Sequence, residues 1–183
     1  MRTFTIADAL TLLRFALAPA FIAAFIMKAY PHALIFFAVA GFTDLIDGTV
    51  ARLCKSQTNF GAVLDPIADK LLVESCLILL AVAEIIPWWF VVIAFVRDTT
   101  ILSGISYLKW KKIDFPYQPK WSSKLATLFL LILCSLALAN LAYPEATLQP
   151  WIQPVFMTAF GLILLSGMQY VVSGFNILRK HRG

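Results

Sequence analysis

Charged side chains are scarce, at 14% of 183 residues against 61% hydrophobic. A water-soluble domain carries about 25% charged and about 45–50% apolar residues, so a soluble fold is excluded. Disorder is excluded too, because it requires a polar, weakly hydrophobic chain. Cysteine is sparse as well. Cys54, Cys76 and Cys134 are odd in number and lack C-x-x-C spacing, which suggests neither a disulfide framework nor a thiolate metal site. The only histidines, His32 and His181, lie far apart near expected helix ends. No repeat of fixed period stands out, nor do the inverted halves of many transporters.

What the chain does have is long apolar runs rich in Leu, Ala, Ile and Phe. They fall at about 7–28, 31–53, 60–86, 88–108, 122–143 and 152–178. Barrel strands would instead alternate polar and apolar residues. The fold class expected is all-α: a polytopic membrane protein with six transmembrane helices and a single membrane domain, 1–183. At about 20 residues per span, this length leaves no room for an appended soluble domain. The apolar stretch around Arg14 reaches about Met27 without a small-x-small cleavage site, so it reads as a spanning helix rather than a cleaved signal. Arg2, Arg52, Lys55, Lys109, Lys111, Lys112, Lys120, Lys124, Arg179, Lys180 and Arg182 fall on one side, and Lys28 on the other. The positive-inside rule then puts both termini in the cytoplasm. The expected location is a bacterial inner or plasma membrane. The net charge of +5 speaks for topology and for contacts with anionic membrane lipids, and no nucleic-acid partner is expected.

Several ionisable residues sit inside these runs: Arg14 in the first, Asp44 and Asp47 in the second, Asp65 and Asp69 in the third, and Arg97 with Asp98 in the fourth. Each charge at the centre of a spanning helix costs about 2.5–3.5 kcal/mol, so compensation is required. Asp44 and Asp47 are three apart, and Asp65 and Asp69 four apart, so each pair leaves one face of its helix. In an antiparallel hairpin turning near residue 56, Asp44 stands level with Asp69, and Asp47 with Asp65. Four carboxylates at one depth would repel one another, and two divalent cations would bring them near neutrality. All-oxygen ligation selects hard ions, Mg²⁺ or Mn²⁺ first, and paired metals of this kind serve phosphoryl transfer. A proton relay or ion-pair cluster in a transporter is the rival explanation. Gly48, Ala51 and Gly61 leave room for a flat base beside the carboxylates, while Arg52 suits a phosphate. Small residues also serve ordinary helix packing.

The stretch Asp44-x2-Asp47-Gly48-x2-Ala51-Arg52-x8-Gly61-x3-Asp65-x3-Asp69 resembles, with every spacing kept, the signature of the CDP-alcohol phosphatidyltransferase family. The resemblance implies a six-helix membrane enzyme, usually a homodimer. Such an enzyme moves a phosphatidyl group from CDP-diacylglycerol to an alcohol and releases CMP. It further implies a two-metal site at Asp44, Asp47, Asp65 and Asp69, with Asp69 as general base. Gly48, Ala51, Arg52, Thr58 and Gly61 would then serve the CDP-lipid. Thr11-Leu12-Leu13-Arg14, Arg97-Asp98 and Ser123-Lys124 resemble patterns of the phosphatidylglycerophosphate synthases and of the cardiolipin synthases of this family. The acceptor stays open between glycerol 3-phosphate and phosphatidylglycerol. Both are anionic alcohols, so a basic acceptor pocket is expected from helices 1, 4 and 5, with Arg14, Arg97 and Lys124 as its binding residues. A proton-coupled transporter and a membrane prenyltransferase are the alternatives from other classes.

Overall fold

Six α-helices account for nearly all of the described chain. The computed structural model describes residues 6–54, 61–111 and 121–180, with side chains described for 13–14, 16–43, 70–104, 111 and 121–174. The helices are α1 (Ile6–Ile26), α2 (Tyr30–Cys54), α3 (Gly61–Val82), α4 (Trp88–Trp110), α5 (Trp121–Ala142) and α6 (Gln149–Lys180), with a short 3₁₀ turn at Pro144–Ala146. Among the described residues there is no strand. All six apolar runs are helical, with ends close to those expected.

The third helix stops short of its expected end at residue 86. Glu84 adopts a left-handed φ of 58°, and the N–H groups of Glu84 and Ile85 close back onto the carbonyls of Ala81 and Leu80. This is a Schellman stop. The same device ends α1, where Lys28 has φ 58° and Lys28 and Ala29 bond back to Phe25 and Ala24. Pro87 then forces the next segment to begin anew.

Consecutive helices pack as pairs, α1 on α2, α3 on α4 and α5 on α6, and α5 also touches α2 and α3. Small buried residues allow the closest approaches: Ala33 and Ala40 on α2, Ala126 and Ala137 on α5, and Ala159 on α6. Phe90 on α4 meets Phe156 on α6 with ring centroids 4.7 Å apart. Among the described residues α2 and α3 touch only sparingly, and both lean on α1. Among the described residues α4 and α5 do not pack directly on each other, which leaves a gap between them.

The distribution of polarity is inverted relative to a soluble protein. Arg14 has no exposed surface, whereas Phe42, Phe95, Val96, Leu128 and Met168 are exposed. Soluble monomers rarely expose contiguous apolar surface on this scale. Trp88, Trp89, Tyr143 and Trp151, at or beside helix ends, are exposed too, as in the aromatic belts of membrane proteins. Among the described residues two helices are long and apolar enough to cross a membrane, Trp121–Ala142 and Gln149–Gly174. Shorter apolar helical stretches lie at Ala16–Ile26 and Tyr30–Thr43.

Candidate functional site

The backbones of α2 and α3 run as helix through residues 44–54 and 61–69. The three- and four-residue spacings of the aspartate pairs are therefore realised on helices. The side chains of Asp44, Asp47, Gly48, Ala51, Arg52, Gly61, Asp65 and Asp69, and the whole of Thr58, lie outside the described residues. Among the described residues no three His, Cys, Asp or Glu side chains gather as a metal site.

A polar network begins at Lys70, the residue after Asp69. Lys70 Nζ on α3 donates to Asp98 Oδ2 on α4 at 2.8 Å. The other oxygen of Asp98 accepts from Nη1 of Arg97. Arg97 also reaches across the gap: its Nη2 donates to Ser123 Oγ on α5 at 2.7 Å and to Ser166 Oγ on α6 at 2.8 Å. Its Nε lies 3.3 Å from the same Ser166 oxygen. Arg97 is 8% exposed and Ser166 fully buried. The methylene stem of Arg97 runs against Gly167, where an added Cβ would stand 3.7 Å from Arg97 Cγ, an ordinary contact. A guanidinium inside an apolar bundle is tolerated when carboxylate and hydroxyl partners meet it, and here they come from three different helices.

A cavity of about 210 Å³ lies between α3, α4 and α5 beside this network. Lys70, Glu74, Arg97, Asp98, Ser123 and Thr127 form its polar part, and the remaining wall is aliphatic. Two cations face two carboxylates, so the cavity is balanced in formal charge. Its walls come from α3, α4 and α5, with Lys70 and Glu74 contributed by α3.

Of the three expected acceptor residues, Arg97 lines this cavity and Arg14 and Lys124 do not. Arg97 lines the cavity, but most of its donors are already engaged. Arg14 is fully buried on α1, the helix that touches both aspartate-bearing helices. Lys124 is exposed, with Nζ 5.3 Å from the centre of the Trp121 ring, a cation–π distance. It is not part of the cavity wall.

Sequence reasoning missed Lys70, Glu74 and Ser166 as members of this network. For α3 a signal was present: Lys70, Val73, Glu74 and Leu77 follow the i, i+3, i+4, i+7 pattern of one helix face, with two charges in an apolar run. For Ser166, one of several hydroxyls along α6, no signal set it apart from Thr158 or Ser173.

The sequence matches the CDP-alcohol phosphatidyltransferase family over residues 4–173. It is 33% identical over 177 residues to a probable phosphatidylglycerophosphate synthase of Mycobacterium tuberculosis, covering 93% of this chain and 81% of that protein. It is 31% identical over 164 residues to human cardiolipin synthase (CMP-forming), covering 89% of this chain and 49% of that protein. A cardiolipin synthase (CMP-forming) / mitochondrial hydrolase fusion protein of Schizosaccharomyces pombe is 39% identical over 113 residues, 62% of this chain. The chain spans 19% of that fusion protein and about half of the human enzyme.

Proposed function

Because the chain belongs to the CDP-alcohol phosphatidyltransferase family, we propose that it transfers a phosphatidyl group from CDP-diacylglycerol to an anionic alcohol, with release of CMP. The acceptor is glycerol 3-phosphate or phosphatidylglycerol, the two that fit the names of its relatives. The family membership sets aside the transporter and prenyltransferase alternatives. The observation that carries the proposal is the helical backbone of α2 through residues 44–54 and of α3 through residues 61–69, on which all four aspartates of the correctly spaced signature stand.

The donor set fits a pair of hard divalent ions, Mg²⁺ or Mn²⁺. It is four carboxylates with no nitrogen or sulfur, on two helices that both pack against α1. Asp44, Asp47, Asp65 and Asp69 would hold the ions, which when bound supply positive charge to the donor pyrophosphate. Gly48, Ala51 and Gly61 give the cytidine and pyrophosphate close access to the helix backbones. Arg52 and Thr58 contribute donors to phosphate oxygens. Asp69 accepts the proton of the acceptor hydroxyl, whose oxygen attacks the phosphorus that carries diacylglycerol. The bond from that phosphorus to the CMP oxygen breaks, and CMP leaves. Arg14, buried beside the aspartate-bearing helices, is the preferred cation for the acceptor phosphate.

All six helices are proposed to span the membrane as one domain, 1–183, with both termini and the site on the cytoplasmic face, in a homodimer. The helices run from 21 to 32 residues, or roughly 31–48 Å at 1.5 Å per residue. That is enough to cross a hydrocarbon core of about 30 Å. The test is direct. Purified protein in detergent is given labelled CDP-diacylglycerol with glycerol 3-phosphate, phosphatidylglycerol, inositol or serine, and CMP and lipid products are separated. Product from either anionic acceptor supports the reading. Product only from inositol or serine rejects the anionic acceptor, and no CMP from any acceptor rejects the transferase.

A further inference from the structure

The hydrogen-bonding capacity around the α3–α4–α5 cavity is unevenly spent. Asp98 is engaged by Lys70 and Arg97, and Arg97 is occupied by Ser123 and Ser166. Thr127 donates to the carbonyl of Ser123 at 3.1 Å. Glu74 lines the same cavity, is half-buried, and makes no hydrogen bond or ion pair among the described residues. It is the charged group there whose lone pairs are unused.

An ionised carboxylate only accepts hydrogen bonds, so its complement is a donor. A phosphate is excluded from this position by like charge. An ammonium would add an uncompensated cation to a cavity where Lys70 and Arg97 already balance Glu74 and Asp98. A neutral hydroxyl keeps the balance and satisfies the carboxylate. Glu74 stands one turn beyond Lys70 on α3, about 5.4 Å along the axis, and Lys70 directly follows the proposed base Asp69. Val73, also in the cavity wall, is one turn from Asp69 in register. A small polyol reaching from the signature along α3 therefore arrives at Glu74.

We propose that Glu74 determines acceptor specificity by accepting a hydrogen bond from a second, non-reacting hydroxyl of the acceptor's glycerol unit. This rests on the transferase reading above. Glycerol 3-phosphate and phosphatidylglycerol share that chemistry: each has a hydroxyl next to the one that attacks.

The experiment compares kcat/KM for each acceptor with that for its counterpart lacking the second hydroxyl. These are 3-hydroxypropyl phosphate for the soluble monoester and phosphatidylpropanediol for the lipid diester. The parent acceptor that is turned over identifies the source. Wild-type protein should prefer the hydroxylated member of that pair by about ten- to a hundredfold, the worth of one hydrogen bond to a charged group. Glu74→Leu should bring the ratio close to one, by loss on the hydroxylated acceptor and with the KM for CDP-diacylglycerol unchanged. Glu74→Gln keeps the shape and a carbonyl acceptor, and should retain a preference of about two- to tenfold. It also serves as the folding control, since Gln keeps the size of the side chain. A wild-type ratio near one, or an unchanged ratio in both variants, overturns the role of Glu74 and leaves the transferase standing. Failure of the wild type to release CMP with any acceptor overturns the transferase and this proposal together.

Discussion

Lys70 on α3 and Asp98 on α4 form an ion pair at 2.8 Å, with side chains 27% and 22% exposed. The pair ties the helix that carries Asp65 and Asp69 to the helix that carries Arg97. An exposed pair is worth about 0–1 kcal/mol, while removing one partner of a fully buried pair costs about 3–5 kcal/mol. At this intermediate burial Asp98→Asn should destabilise by roughly 2 kcal/mol, since two cations lose one counter-charge. Thermal unfolding in detergent micelles measures it. The double variant Lys70→Met with Asp98→Asn should cost less than the sum of the singles, and strict additivity would show that the pair is not coupled.

Ser166 is the buried end of the Arg97 network. Ser166→Ala removes the hydroxyl that accepts from both Nη2 and Nε of Arg97 and leaves those donors without a partner on α6. The expected cost is about 1–3 kcal/mol, the penalty for a charged group left partly unsatisfied. Ser123→Ala should cost less, because Ser123 is only half-buried and water can replace it. Melting temperatures of the two variants in the same detergent decide the order, and equal losses would refute it.

How much of this was legible follows from where the information lies. The helices were readable because hydrophobic runs of about 20 residues have few alternatives in a bilayer. The stop at Val82 was not, because a Schellman end through Glu84 needs a left-handed residue that composition does not announce. The aspartate signature was readable because spacing along a helix maps directly onto its face. The cavity was not, since it arises where α4 and α5, among the described residues, stay apart and Arg97 bridges the gap to Ser123 and Ser166. Lys124 shows the limit of reading charge alone: it neighbours a cavity residue in sequence, yet is exposed at the Trp121 ring rather than in the cavity wall.

The left-handed positions give a prediction independent of function. Lys28 and Glu84 both hold φ 58°, where a side chain costs about 1–2 kcal/mol and glycine costs little. Part of that gain is offset by the greater freedom of glycine in the unfolded chain. Glu84→Gly and Lys28→Gly should each stabilise the protein by about 0.5–1 kcal/mol. A raised melting temperature in both supports this. A fall in either would mean that the side chain itself contributes there.

Asp69 is proposed as the base and also as a metal ligand, and the two roles separate experimentally. Asp69→Asn keeps an oxygen at the same position but cannot take up a proton near neutral pH. Transfer should fall by at least about 10²-fold, the usual lower bound for a positioned general base. CDP-diacylglycerol binding, measured directly by equilibrium filtration, should persist because three carboxylates remain. Activity near wild type would end the assignment, and loss of donor binding would reassign Asp69 to ligation alone.

Metal dependence has a readout that does not require turnover. If the four aspartates form the proposed site, their carboxylates repel one another without cations, so the empty protein should be less stable than the loaded one. An ion bound only by the folded state stabilises it by RT ln(1 + [L]/Kd), about 2.7 kcal/mol at a hundredfold excess over Kd. After treatment with a chelator, the melting temperature should therefore drop and CMP release should cease. Mg²⁺ or Mn²⁺ should restore both. Asp44→Asn and Asp65→Asn each remove one of the charges that repel, so these variants should melt higher than wild type in chelator and lose most of the response to added ion. If the wild-type melting temperature is indifferent to chelator and to both ions, the four aspartates are not a metal site, whatever the activity shows.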